Sequence, residues 1–164
     1  MTITVGVDTY STLAEADAYA AYRSWTDWAA LTDTQKEARL VDAAVYLDQS
    51  YTWKGRVTLL AQTMAWPRIE VEDKEGRPID SDVTPARIKE AQVELARLIT
   101  ATAGLVANDS SGDVSQLTAG SVSLTFKNSQ NASEAAKYRS IDRLVRGLYV
   151  SRSGGASTRR LLKA

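Results

Sequence analysis

Apolar residues recur at helical spacing in four stretches of this chain, and that period constrains the fold more than any other feature. The clearest stripe is Ile88, Ala91, Leu95, Leu98, Ile99 and Thr102, with Arg87, Glu90, Glu94 and Arg97 largely outside it. Thr84 is placed to cap this helix, Pro85 suits its first position, where no amide bond is lost, and Gly104 closes it. Upstream, Thr12-Leu13-Ala14-Glu15 fits a capping box: the Thr hydroxyl accepts from the third helical amide and Glu15 reaches back to the Thr12 amide. Leu13, Ala16 and Ala20 then share one side of an Ala-rich helix expected to end near Trp25 to Trp28. Thr32-Asp33-Thr34-Gln35 repeats the capping logic. It opens a helix striped by Leu40, Ala44, Leu47 and Tyr51, widened by Val41 and Val45, with Gly55 as stop or turn glycine. The fourth helix is expected from about Ser133 to Tyr149. Its apolar side is Tyr138, Ile141, Leu144, Val145 and Leu148, with Arg139, Arg143 and Arg146 almost opposite.

Two stretches lack that period. Within residues 56–83, Trp66-Pro67-Arg68 interrupts helix continuity, because the residue before proline is pushed toward extended geometry. Ile69-Glu70-Val71 alternates, Asp73-Lys74-Glu75-Gly76 supplies a turn and Pro78-Ile79 follows, which predicts a short hairpin or an ordered loop. Within residues 107–126, the polar loop Asn108 to Asp113 precedes Val122, Leu124 and Phe126, which alternate with small polar residues as in a half-buried strand. Leu117-Thr118-Ala119 would pair with that strand or with a neighbouring subunit. The fold expected is mainly α, a small four-helix bundle with a short β-hairpin or strand excursion and an extended C-terminal arm. Residues 1–150 form the domain. Residues 151–164 form a flexible basic arm hinged at Ser151-Arg152-Ser153-Gly154-Gly155.

Composition narrows the chemistry. The 164 residues include no Cys and no His, which removes disulfides, thiolate catalysis, sulfur-based zinc sites and every triad with a His base. Paired carboxylates, or Ser or Thr with Lys, remain, so an enzyme is not expected. No apolar run reaches the 18 or so residues of a membrane span, and Met1-Thr2-Ile3-Thr4 lacks the basic start of a signal peptide. A soluble protein, not marked for export, is the expectation.

The net charge of zero conceals an asymmetry. Residues 1–126 carry 18 acidic and 11 basic side chains, whereas residues 127–164 carry 2 acidic and 9 basic. Such polarity suits two surfaces with different partners, or copies packed head to tail. The acidic run Glu70, Glu72, Asp73 and Glu75 contains Lys74 and lacks the alternating ligands of a calcium loop, so it reads as a solvated turn. The Asp109 to Asp113 loop reads the same way, no pair of carboxylates is brought together for catalysis, and no phosphate-cradling glycine motif is present. Trp25, Trp28, Trp53 and Trp66 all fall in the acidic part, which favours core packing or subunit contact over stacking on nucleic-acid bases. The basic face Arg139, Arg143 and Arg146, with the tail Arg152, Arg159, Arg160 and Lys163, reads either as a solvated face with a loose end or as a docking arm. In the second reading Leu161-Leu162 is its apolar anchor.

Several segments together resemble one family. They are Val5-Gly6-Val7-Asp8-Thr9-Tyr10, Ala14-Glu15-Ala16-Asp17-Ala18-Tyr19, Tyr51-Thr52-Trp53-Lys54-Gly55-Arg56, and Gln62-Thr63-Met64-Ala65-Trp66-Pro67-Arg68, with Pro85 opening an Ala-rich helix. The chain resembles the head–tail adaptor (head-completion) family of tailed bacteriophages, catalogued in part as DnaT-like single-stranded-DNA-binding proteins. The likeness is strongest over residues 3–104. It implies signature residues Tyr19, Trp53, Gly55, Gln62, Trp66, Pro67, Arg68 and Pro85 in the core or at subunit contacts. It further implies a structural virion protein of the phage neck, made in the host cytoplasm, that forms a ring of about twelve copies beneath the portal. Such a ring extends the DNA channel without gripping DNA and receives a stopper or tail-completion protein. Residues from about Ser133 to Ala164 would dock on the portal, through Arg139, Arg143, Arg146, Arg152, Arg159, Arg160, Leu161, Leu162 and Lys163. No cofactor, metal or membrane is implied. The alternative is a single-stranded-DNA-binding module.

Overall fold

The computed structural model of the chain describes residues 3–99, 116–119, 122–125 and 139–150. Among these residues the chain is mainly helical, with helices α1 (Leu13–Tyr22), α2 (Thr26–Ala29), α3 (Asp33–Ser50), α4 (Ala86–Leu98) and α5 (Arg139–Val145). Two short antiparallel pairs accompany them, β1 (Arg56–Val57) with β2 (Arg68–Ile69), and β3 (Gln116–Ala119) with β4 (Val122–Thr125).

Both capping boxes form. The Thr12 amide donates to Glu15 Oε2 at 2.7 Å while the Glu15 amide donates to Thr12 Oγ1 at 3.1 Å. Thr32 and Gln35 repeat the exchange at the start of α3.

The helix ends depart from the sequence expectation. The first helix does not run to Trp25–Trp28. Ser24 turns to φ +55, its amide donates to the Ala21 carbonyl, and the Trp25 amide donates to the Ala20 carbonyl. These two bonds are a Schellman closure, so Trp28 enters the core on the separate short helix α2. In α3 the buried stripe is Leu40, Ala43, Ala44 and Leu47. Val45 is exposed rather than widening it, and Tyr51 is the extended residue after the helix. Pro85 is the cap of α4, not its first helical residue. Its ψ of 140° is extended, its carbonyl accepts from the Ile88 amide, and the Thr84 hydroxyl does not cap. That helix stops at Leu98, which is exposed, because Ile99 swings to ψ 116° and buries its own side chain. Thr102 and Gly104 lie outside the described residues, as do residues 133–138 of the expected last helix. α5 ends at Val145 rather than Tyr149, since Gly147 adopts φ +94 and releases Leu148 to Val150 to pair with residues 52–54.

α4 contacts α1, α3 and α5 and is the centre of the packing. Its inner face is Ile88, Ala91, Gln92, Val93, Leu95 and Ala96, facing Leu40, Leu47, Trp28, Ile141 and Val145 in one buried cluster. Gln92 is the polar member. Its Oε1 accepts from the Tyr10 and Ser11 amides at 3.1 and 3.0 Å, and its Nε2 donates to the Leu40 carbonyl at 2.8 Å and to Thr9 Oγ1. One buried amide thus ties the N-terminal segment to α3 and α4, with its donors and acceptor all used.

The excursion after α3 resolves into two parts. β1 and β2 bracket residues 58–67, and a second hairpin follows in which the Ile79 amide donates to the Val71 carbonyl and Glu72 bridges Pro78. The strand expected at Val122 is present as β4, and Leu117–Ala119 pairs with it inside the chain; Phe126 lies outside the described residues.

Candidate functional site

Two exposed features stand on opposite flanks of one aromatic row. The row begins at Tyr149, whose ring lies 5.0 Å from that of Tyr51. It continues to Trp53 at 5.2 Å and Trp66 at 5.8 Å, the last pair edge to face. Trp53 and Trp66 are buried, and their indole N–H groups find no acceptor among the described residues. Their contribution is therefore apolar packing.

On one flank, the row secures the connection between β1 and β2. Gly55 takes φ +67 with the Ile69 carbonyl and Val71 side chain so close that any added methyl would overlap them. Trp66–Pro67 is a cis peptide. Arg68 then fans its guanidinium over three backbone carbonyls, those of Lys54 (2.7 Å), Gly55 (2.9 Å) and Ala65 (3.0 Å). Gln62 closes the turn from inside, accepting from the Leu59 amide and donating to the Met64 and Pro67 carbonyls. From α3, Asp48 accepts the Ala65 amide at 2.9 Å and the Tyr10 hydroxyl. Burial raises the Asp48 carboxyl above the ordinary aspartate value, and burial with the Asp48 charge raises the Tyr10 phenol. This bracing holds out an apolar tip: Leu59 is 66% and Leu60 98% exposed.

On the other flank, the row anchors α5. The Tyr51 hydroxyl donates to Asp142 at 2.7 Å, the Lys54 amide to the Leu148 carbonyl and the Val150 amide to the Thr52 carbonyl. Ile141, Val145 and Leu148 are buried against the core, which leaves Arg143 and Arg146 exposed. Neither forms an ion pair among the described residues. Arg139 opens the same helix, while Arg152, Arg159, Arg160, Leu161, Leu162 and Lys163 lie outside the described residues.

The signature residues converge on this region except for two. Tyr19 lies on α1, where its hydroxyl donates to Glu94 at 3.0 Å; burial, with Glu94, pushes its phenol up to about 12. Pro85 caps α4. The acidic run Glu70 to Glu75 is a turn at the surface, in which Asp73 accepts from the Glu75 and Arg77 amides and pairs with Arg77. No group of three or more potential metal ligands occurs among the described residues. No described helix is long and apolar enough to cross a membrane.

Two exposed features escape sequence reasoning. Leu59-Leu60 belongs to neither a helical stripe nor a strand alternation, and that lack of period is its only signal. Tyr22, on the last turn of α1, is 89% exposed beside Arg23. The neighbouring Trp25 is buried, with the Arg97 guanidinium 4.4 Å from its ring centre.

No curated protein and no solved structure matches the chain. A family model matches residues 2–164, essentially the whole sequence. With the buried aromatics, the braced loop and the helical core all inside the matched span, the chain belongs to the family described as "Putative DnaT-like ssDNA binding protein".

Proposed function

We propose that the protein is a structural virion component of a tailed-phage neck: a ring-forming head–tail adaptor that docks beneath the portal. In this reading it extends the DNA channel and receives a stopper or tail-completion protein. The observation that carries the proposal is the division of one subunit into unlike surfaces. Residues 1–99 carry 16 acidic and 11 basic side chains, while Arg143 and Arg146 stand exposed on α5, at the start of a segment rich in Arg and Lys. A ring needs two different patches that meet on adjacent copies, and a channel that passes DNA needs a wall that does not bind phosphates. An acidic body with its four Trp buried suits that wall. The helices around α4 serve as a small four-helix bundle, and the basic C-terminal arm is the tether to the portal. Deletion of residues 152–164 should leave the melting temperature unchanged and abolish co-sedimentation with the portal. Unchanged co-sedimentation would remove the arm from the proposal.

The second reading is binding of single-stranded DNA, favoured by the family's description and by exposed Tyr22 beside Arg23. It requires affinity that falls steeply with salt and is lost in Tyr22→Ala. Titration at two salt concentrations, followed by tryptophan fluorescence, separates it from the adaptor, for which no saturable binding is expected.

A further inference from the structure

The most exposed aliphatic side chains among the described residues sit on a loop held by several side-chain hydrogen bonds. Leu60 is 98% exposed, yet Gln62, Arg68 and the Thr58 hydroxyl, which donates to the Ser81 carbonyl, fix the backbone around it. A loop tip that merely joins two strands has no need of leucines, and water disfavours them. A rigid apolar tip loses little conformational entropy when it docks.

A groove of matching size opens between α1 and α4. Its volume is about 150 Å³, and Tyr19, Ala86 and Val93 supply its apolar walls. Glu15 and Glu90 stand on its lining, with Glu15 paired to Lys89 at 2.7 Å. A cavity of roughly that volume accepts benzene, so the four carbons of a leucine side chain fit. One charge also corresponds: Lys54 lies exposed at the foot of the loop, opposite in sign to Glu90, while Lys89 on the lining is already paired with Glu15.

We propose that the Leu59-Leu60 tip of one copy seats in the α1–α4 groove of the next copy, giving the heterologous contact that propagates a ring. This rests on the adaptor reading and adds to it which two surfaces meet. Tip and groove are different patches, so the contact repeats around a ring instead of ending at a dimer.

The absence of cysteine from the chain permits a direct test. Two variants, Leu60→Cys and Ala86→Cys, both altered at exposed positions, are purified separately, mixed and oxidised. A disulfide-linked pair of chains should form in the mixture and in neither variant alone. Leu60→Ser should keep the parent melting temperature while weakening self-association tenfold or more. Four results would overturn the contact. One is a cross-link formed as readily by Leu60→Cys alone, which places two tips together. Another is no cross-link in the mixture although the wild-type chain sediments as a ring, which leaves the adaptor reading standing. The third is unchanged self-association of Leu60→Ser with lost portal or stopper binding, which assigns the tip to a different partner. A wild-type chain that stays single at every concentration and on the portal would remove both the contact and the ring.

Discussion

Two turns follow one another between α3 and α4, and they end differently. The hairpin at Val71–Ile79 finishes in Asp73, Lys74 and Glu75, charges that water solvates, and Gly76. Its order comes from within: Asp73 accepts the Glu75 and Arg77 amides, and Arg77 pairs with Asp73 and Glu75. The connection between β1 and β2 finishes in Leu59 and Leu60, and its order comes from below, through Trp66, Arg68 and Asp48, as well as from Gln62 within the loop. The first is a turn that satisfies itself. The second is a mount: its tip stands exposed while Trp66 beneath it packs in the core.

The largest expected effect tests the mount at its base. Trp66→Ala removes a wholly buried ring and should cost about 3–5 kcal/mol, read as a lower midpoint in urea. A change well under ~1 kcal/mol would mean the aromatic row does not support the loop. Next in size, Gln62→Ala deletes three hydrogen bonds of the turn and should cost about 1–3 kcal/mol. It should also speed amide exchange at Leu59 more than at Glu75, whereas equal changes at both would erase the distinction between the two turns.

The smallest effect is a difference in acid response. Hydrogen bonds from the Arg77 and Glu75 amides hold the Asp73 carboxyl below its ordinary value of 3.8. Its support is thus present above that value and lost as pH falls through the lower, folded one. Asp48 is shifted the other way by burial. Its contribution is largest at low pH and declines as pH rises through its raised value. Acidification from about pH 5 to 3 should therefore reduce amide protection at Glu75 and Arg77 before it does so at Ala65. The reverse order would break the comparison.

Features decided by near neighbours were legible in the sequence. The two capping boxes are set by residues three apart, and the stripe of α4 by its own period, so both could be read directly. Helix ends were not, because local turns at residues without the usual signal, together with distant contacts, set them. Ser24 holds a left-handed turn where glycine is usual, Ile99 leaves α4 to bury itself, and Gly147 frees Tyr149 to pair with Trp53. The signature Trp53, Gly55, Gln62, Trp66 and Arg68 could be picked out by type and spacing. Their shared task could not, since it depends on carbonyls that only the folded loop assembles. Gln92 was invisible for the same reason: it lies on the apolar face of a helix, and its partners lie 52 residues away at Leu40 and more than 80 away at residues 9–11.

That distance has a consequence for the order of events during synthesis. Residues 9–11 leave the ribosome more than 80 residues ahead of the side-chain amide that holds them, and the same amide also clasps the backbone of Leu40. The bonds that fix this segment cannot exist until position 92 has been made. The segment must wait, unclaimed, for a latch that arrives late.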